Sequence, residues 1–220
     1  MTLPPDPRPR IVALAGPNGA GKSTFFQAHL QPAGLRFVNA EDLARELGVD
    51  AYAAAELANE VRRSLVAQRE SFVFETVLSD PVGDKVNFLR AAARSGYTVV
   101  LCFIGLDSAE TSGQRVAMRV LQGGHDVPNE KLAARYARTL ENLHRAIRAL
   151  PSVHVFDNSD LRHPFRKVAE VAHGKAVSVA KSVPDWLELP WDRSPETGLR
   201  GELDGDDADA VLRFVPGPGP

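Results

Sequence analysis

Ile11-Val12-Ala13-Leu14-Ala15-Gly16-Pro17-Asn18-Gly19-Ala20-Gly21-Lys22-Ser23-Thr24 decides the fold of this 220-residue chain. An unbroken apolar run of five residues that ends in glycine reads as a strand buried on both faces of a parallel sheet. From Gly16 to Ser23 the sequence fits G-x-x-x-x-G-K-[ST], placed between that strand and the start of a helix. The glycines let the backbone curl until successive N–H groups converge on a polyphosphate, and the helix beginning near Lys22 adds the positive end of its dipole. Lys22 supplies a mobile charge for β- and γ-phosphates, and the Ser23 hydroxyl is a ligand for Mg2+. Gly16, Pro17, Asn18, Gly19, Ala20, Gly21, Lys22, Ser23 and Thr24 are therefore the expected contacts of ATP and its magnesium. A glycine-rich turn that binds nothing is the alternative, and the complete spacing in a strand–loop–helix context argues against it.

Similar apolar runs follow at 36–38, 72–74, 97–104 and 153–156. Between them lie stretches of helical spacing: Leu57, Val61 and Leu65 make one stripe, and Val82, Val86, Leu89 and Ala93 another. The longest helix is expected over 129–150, with Leu132, Tyr136, Leu140, Leu143, Ile147 and Leu150 on one face. Gly96 is placed to end the helix before the strand at Tyr97. Strands alternating with helices predict a three-layer α/β fold around a mainly parallel sheet. Past Val168, two short apolar runs around His173-Gly174 read as a terminal hairpin.

Residues 1–9 carry four prolines and read as a loose leader, 10–180 as one domain, and 181–220 as an acidic, largely unstructured tail. Between Trp191 and Pro220 there are seven acids and three bases, with a short helix expected around 207–214. A formal net charge of −2 argues against a dedicated duplex-DNA binder. Cys102 stands alone, so no internal disulfide forms. No run of apolar residues is long enough to span a membrane, and residues 1–10 lack a hydrophobic signal core. The cytoplasm is the expected location.

A triphosphate site does not by itself name a reaction. The chain lacks the Asn-Lys-x-Asp segment of guanine recognition and the Leu-Ser-Gly-Gly-Gln signature of transporter ATPases, which leaves a small kinase as the leading class. In open α/β sheets, ligands bind beyond the carboxyl ends of the strands. Two acidic sites fall there: Glu41 and Asp42, within Asn39-Ala40-Glu41-Asp42, and Glu75, followed by Thr76. A kinase needs a carboxylate to orient an acceptor hydroxyl and take its proton, and Glu41 or Asp42 suits that role. The competing reading of this pair is helix N-terminal decoration, where acids complement the dipole. Glu75 closes a buried run, where a carboxylate is costly unless used or paired; it suits substrate binding or outer support of the metal.

Phosphoryl transfer also needs positive charge around the equatorial oxygens, often from arginines on a closing segment. Arg115 and Arg119 share one helical face, ahead of the flexible stretch Gly123-Gly124-His125-Asp126-Val127-Pro128 and the long helix. This reads as a helical lid, with His125 either a phosphate contact or a turn residue. Arg138, Arg145 and Arg148 read as solvated surface arginines.

These residues resemble the zeta-toxin family of P-loop kinases. The resemblance is carried by 16–24, Phe-Val-Asn-Ala-Glu-Asp-Leu-Ala (37–44), Phe-Val-Phe-Glu-Thr-Val-Leu-Ser (72–79), Arg115 through Tyr136, and Asp157-Asn158-Ser159. It implies an ATP- and Mg2+-dependent kinase acting on a hydroxyl of UDP-N-acetylglucosamine or a related UDP-amino sugar, often held inactive by a small antitoxin. It also implies that Lys22 and Ser23 bind ATP and Mg2+, that Glu75 and Thr76 hold the sugar nucleotide, and that Arg115 and Arg119 clasp the phosphates. The family's acceptor-activating residue is usually Asp and falls on Glu41, with Asp42 beside it; a second lid arginine falls near His125. Two further readings keep part of this picture: a kinase of another metabolite or an antibiotic, and a nucleotide-binding regulator acting through a protein partner. A polynucleotide end kinase is disfavoured because no basic surface is evident.

Overall fold

The computed structural model describes residues 8–121 and 129–189. The expected leader up to residue 7, the Gly123–Pro128 stretch with His125, and the tail from residue 190, including the helix expected at 207–214, lie outside the described residues. Seven strands form one sheet in the order β2-β3-β1-β4-β5-β6-β7. They are β1 (Arg10–Ala15), β2 (Arg36–Val38), β3 (Phe72–Thr76), β4 (Thr98–Gly105), β5 (Ser152–Asp157), β6 (Arg166–Ala172) and β7 (Lys175–Val179). The first five pair in parallel; β6 and β7 are antiparallel. Parallel pairing puts the carboxyl ends of β1, β2, β3, β4 and β5 along one edge, which is where the chemistry-bearing residues sit.

Six α-helices flank the sheet: α1 (Lys22–Phe25), α2 (Ala40–Leu47), α3 (Ala51–Ala67), α4 (Asp84–Arg94), α5 (Ala109–Leu121) and α6 (Asn129–Ala149). Alternate residues of β1 feed two cores. Ile11, Ala13 and Ala15 face the side covered by α3, α4 and α6, whereas Val12 and Leu14 face Phe25 and Leu30. The fold is the three-layer α/β arrangement expected. The terminal hairpin forms too: His173 (φ 51°) and Gly174 (φ 75°) both take the left-handed conformation that a two-residue turn between twisted strands requires.

Three expectations need correction. In α3 the buried residues are Ala54, Ala58, Arg62 and Leu65; of the expected stripe, Leu65 is in the core and Val61 packs against it, whereas Leu57 is only half-buried. Alanines allow close approach to the sheet, and Arg62 lays its guanidinium over the Phe74 ring at 4.9 Å. Burial, reinforced by Arg63, holds the Arg62 guanidinium down at about 10. Val82 does not belong to the α4 stripe; it is 67% exposed in the turn before the helix. The packed fold also runs past residue 180, because Trp186 and Leu187 join the core.

Trp186 covers Gly105 so closely that a Cβ there would fall 2.1 Å from the ring. Gly105→Ala therefore displaces the indole, and overpacking of this kind costs about 1–3 kcal/mol. Chemical denaturation is expected to show that loss; unchanged stability would mean that the 181–189 segment does not hold the ring on the sheet. Cys102 is fully buried in β4, where desolvation pushes its thiol up to about 12, so it is not a nucleophile. Among the described residues no helix is long and apolar enough to cross a membrane.

Candidate active site

The loop after β1 is held from three sides. Gly16 (φ 146°) passes so near β4 that a Cβ would lie 2.1 Å from the Ile104 carbonyl oxygen, which leaves room for glycine alone. Gly19 lies under α5, where a Cβ would meet Arg115 Cβ at 2.9 Å, and the Ser112 hydroxyl donates to the Asn18 carbonyl at 2.7 Å. From the far side, Asn158 Nδ2 donates to the Ala20 carbonyl at 2.9 Å while its Oδ1 accepts from Phe165 N at 3.2 Å. Gly21 (φ 85°) then caps α1. These contacts occupy carbonyls of the loop, and the Ala20 N–H closes the turn on the Pro17 carbonyl at 3.3 Å, which leaves the glycine and Lys22 N–H groups to face an anion.

Lys22 is only 7% exposed, and its ammonium donates to the Pro17 carbonyl at 3.0 Å. It folds back across the loop mouth and comes within 3.6 Å of Glu75 Oε1. Glu75 is the penultimate residue of β3, opposite Leu14. Its Oε2 accepts from Ser23 Oγ at 3.1 Å and from Asn39 Nδ2 at 3.2 Å. The burial of this carboxylate is thus compensated by one cation and two donors. Thr24 lies exposed beside Ser23. Thr76 turns its hydroxyl to the chain, accepting from Leu78 N at 3.1 Å. It shapes the turn out of β3.

Glu41 and Asp42 both sit in the first turn of α2, as the N-terminal-decoration reading requires, yet their partners differ. Asp42 accepts from Arg45 of its own helix at 2.6 Å. Glu41 reaches out of the helix to Arg119 of α5, with 3.6 Å between Oε2 and the guanidinium. Arg119 Nε is buried without a partner, so its charge has donor capacity to spare. Arg115, on the same helix face, donates to the Ser159 carbonyl at 2.9 Å. Burial lowers its pKa, and Asp107 and Asp157 oppose that shift.

The sheet edge therefore brings together Lys22, Ser23, Glu75, Glu41 and Arg119, with Arg115 beside the loop. Ser23 and Glu75 present hard oxygens side by side, which fits Mg2+. Among the described residues there is no cluster of three or more His, Cys, Asp or Glu side chains able to cage a metal.

Several functional contacts lie outside the reach of sequence reading. Arg138, read as solvated, donates to the Ser79 carbonyl at 2.9 Å. With Thr139 to Val77 O and Asn142 to Leu78 O and Asp80 O, it clamps the turn after Thr76. The only trace of this in the sequence is two uncharged polar residues, Thr139 and Asn142, within the helix otherwise read by its apolar face.

The sequence profile of the zeta toxin family matches residues 38–167. The chain belongs to that family. Membership makes it a P-loop phosphotransferase. Among solved structures, this chain is similar to one of the PezAT chromosomal toxin–antitoxin system of Streptococcus pneumoniae. The two share 16% identity over 77% of this chain and 74% of that one, with a TM-score of 0.54. It is also similar to a chain of the AvrRxo1-ORF1:AvrRxo1-ORF2 complex with sulphate ions, at 18% identity over 77% of this chain and 60% of that one, TM-score 0.55. The same complex has been solved with ATP (TM-score 0.54). At these identities the likeness is one of fold. No curated protein sequence matches the chain.

Proposed function

We propose that the protein is an ATP-dependent kinase that moves the γ-phosphoryl group of ATP to a hydroxyl of a UDP-amino sugar such as UDP-N-acetylglucosamine. The observation that supports this reading is the pairing of Glu41 with Arg119 at 3.6 Å at the start of α2, whose cap Asn39 also bonds the Glu75 carboxylate that lies beside Lys22 and Ser23. ATP in one of the similar solved structures supports the choice of donor.

In this mechanism the N–H groups of the loop between Asn18 and Ser23 and the Lys22 ammonium grip the β- and γ-phosphates. The Ser23 hydroxyl, with Glu75 behind it, would hold Mg2+, which would supply positive charge against the phosphates. As the γ-phosphate arrives, Arg119 turns towards its equatorial oxygens, and Glu41 is released to face the acceptor. Glu41 accepts the proton of the hydroxyl while the acceptor oxygen bonds to the γ-phosphorus. The bond from that phosphorus to the β,γ-bridging oxygen breaks, and ADP leaves. Arg115 steadies the loop and adds charge. Thr76 and its clamped turn would border the acceptor, and the packed fold from residue 10 through Trp186 and Leu187 would form the kinase unit. A small antitoxin is a fitting partner, since one similar structure belongs to a toxin–antitoxin system.

The test is direct. Purified protein with γ-labelled ATP is expected to label UDP-N-acetylglucosamine. Labelling of a different metabolite or an antibiotic would move the acceptor class, and ATP consumption with no labelled acceptor would replace the kinase by a nucleotide-binding regulator.

A further inference from the structure

Asn39 performs two tasks with one side chain. It sits between β2 and α2 at only 8% exposure. Its Oδ1 accepts from Glu41 N at 2.8 Å, which caps α2. Its Nδ2 donates to Glu75 Oε2 at 3.2 Å, the same oxygen that accepts from Ser23. The amide orientation follows from the network, because only this one puts oxygen against an N–H and nitrogen against a carboxylate.

Capping alone does not explain an amide here. Ser, Thr and Asp cap helices about as well as Asn, because a cap needs only an oxygen acceptor. The nitrogen contributes nothing to α2; its whole effect falls on Glu75. Through it the helix that carries Glu41 is tied to the carboxylate beside Lys22 and Ser23. The span between the proton-accepting and the phosphate-holding sides of the cleft then depends on one planar group. Serine is too short to cover both directions, and aspartate offers acceptors only.

We propose that Asn39 is a positioning residue that couples the two halves of the site, aligning Glu75 behind Ser23 while it fixes Glu41 at the start of α2. This rests on the phosphoryl-transfer reading above for Glu41, whereas its effect on Glu75 and Ser23 stands apart from the acceptor.

Two variants separate coupling from capping. Asn39→Ser keeps a cap, so its thermal midpoint should stay near that of the unaltered protein, whereas Asn39→Ala, which loses the cap, and Asn39→Asp, which sets a second carboxylate against Glu75, should melt lower. With a fluorescent ATP analogue and no acceptor present, the Mg2+ concentration for half-maximal binding should rise about tenfold in Asn39→Ser. It should rise further in Asn39→Asp, where a second carboxylate faces Glu75. In turnover, kcat should fall about tenfold or more while KM for the acceptor changes little. Mg2+ dependence and kcat at unaltered values in the Ser and Asp variants would overturn the proposal, as would a loss of kcat that simply tracks melting across the three variants. If no acceptor is ever labelled, the kinase reading fails, yet the Mg2+-binding comparison still decides the role of Asn39.

Discussion

Lys22→Ala is expected to lower phosphoryl transfer by about a hundredfold or more. The magnitude follows from what a preorganised charge does in a cleft shielded from water, where removal of one transition-state contact typically costs about a hundred- to a thousandfold. Lys22 is preorganised in this sense: it is almost fully buried, and its ammonium is pinned between the Pro17 carbonyl and Glu75. Its removal leaves the buried end of Glu75 facing Ser23 and Asn39 with no cation, so the damage extends beyond the lost phosphate contact. Lys22→Met, which keeps the aliphatic stem, separates the two effects. It should match the alanine variant in turnover and preserve more of the fold by thermal denaturation. Turnover within threefold of the unaltered enzyme in both variants would remove the phosphate loop from the mechanism.

Glu41→Gln comes next. A positioned general base is worth about a hundred- to ten-thousandfold, and the amide cannot take the acceptor proton. Asp42→Asn should change kcat only a few-fold. The difference is one of partners. Asp42 is spent on an exposed pair with Arg45 three residues along its own helix, an interaction of little energetic weight. Glu41 instead meets Arg119 of α5. Because glutamine keeps the size of Glu41 and loses its charge, the variant also frees Arg119 from its partner. KM for ATP should therefore hold steady or fall while kcat collapses, since Arg119 no longer has to leave a carboxylate to reach a phosphate. The opposite ranking, with Asp42→Asn the damaged variant, would transfer the base to the neighbouring residue.

The consequences of Gly105→Ala and of the Asn39 variants come from a different source than those of Lys22. The phosphate loop is a contiguous pattern whose meaning is local: glycine φ angles, a lysine and a serine follow one another within eight residues. The strands expected at 36–38, 72–74, 97–104 and 153–156 were legible for the same reason, as short apolar runs with turn residues between them. The His173-Gly174 hairpin was legible from its turn chemistry. Helix α3 was misread because period alone cannot tell a leucine stripe from an alanine stripe when the sheet demands close approach. Arg138 was misread because a charged residue on a helix is solvated by default, and nothing nearby in sequence announces the Ser79 carbonyl fifty-nine residues away.

What the amino-acid order settled by itself is a phosphate-binding loop on a mainly parallel sheet, with carboxylates at the strand ends, because backbone conformation, hydrophobic period and helix starts are determined within a few residues. Which carboxylate meets which cation was decided only by packing. Asn158 reaches Ala20 across 138 positions and Ser112 reaches Asn18 across 94. Such pairs exist only because the parallel sheet brings the carboxyl ends of β1, β4 and β5 to one edge. Glu41 and Asp42 are chemically near-equal neighbours until the fold places α5 against one of them.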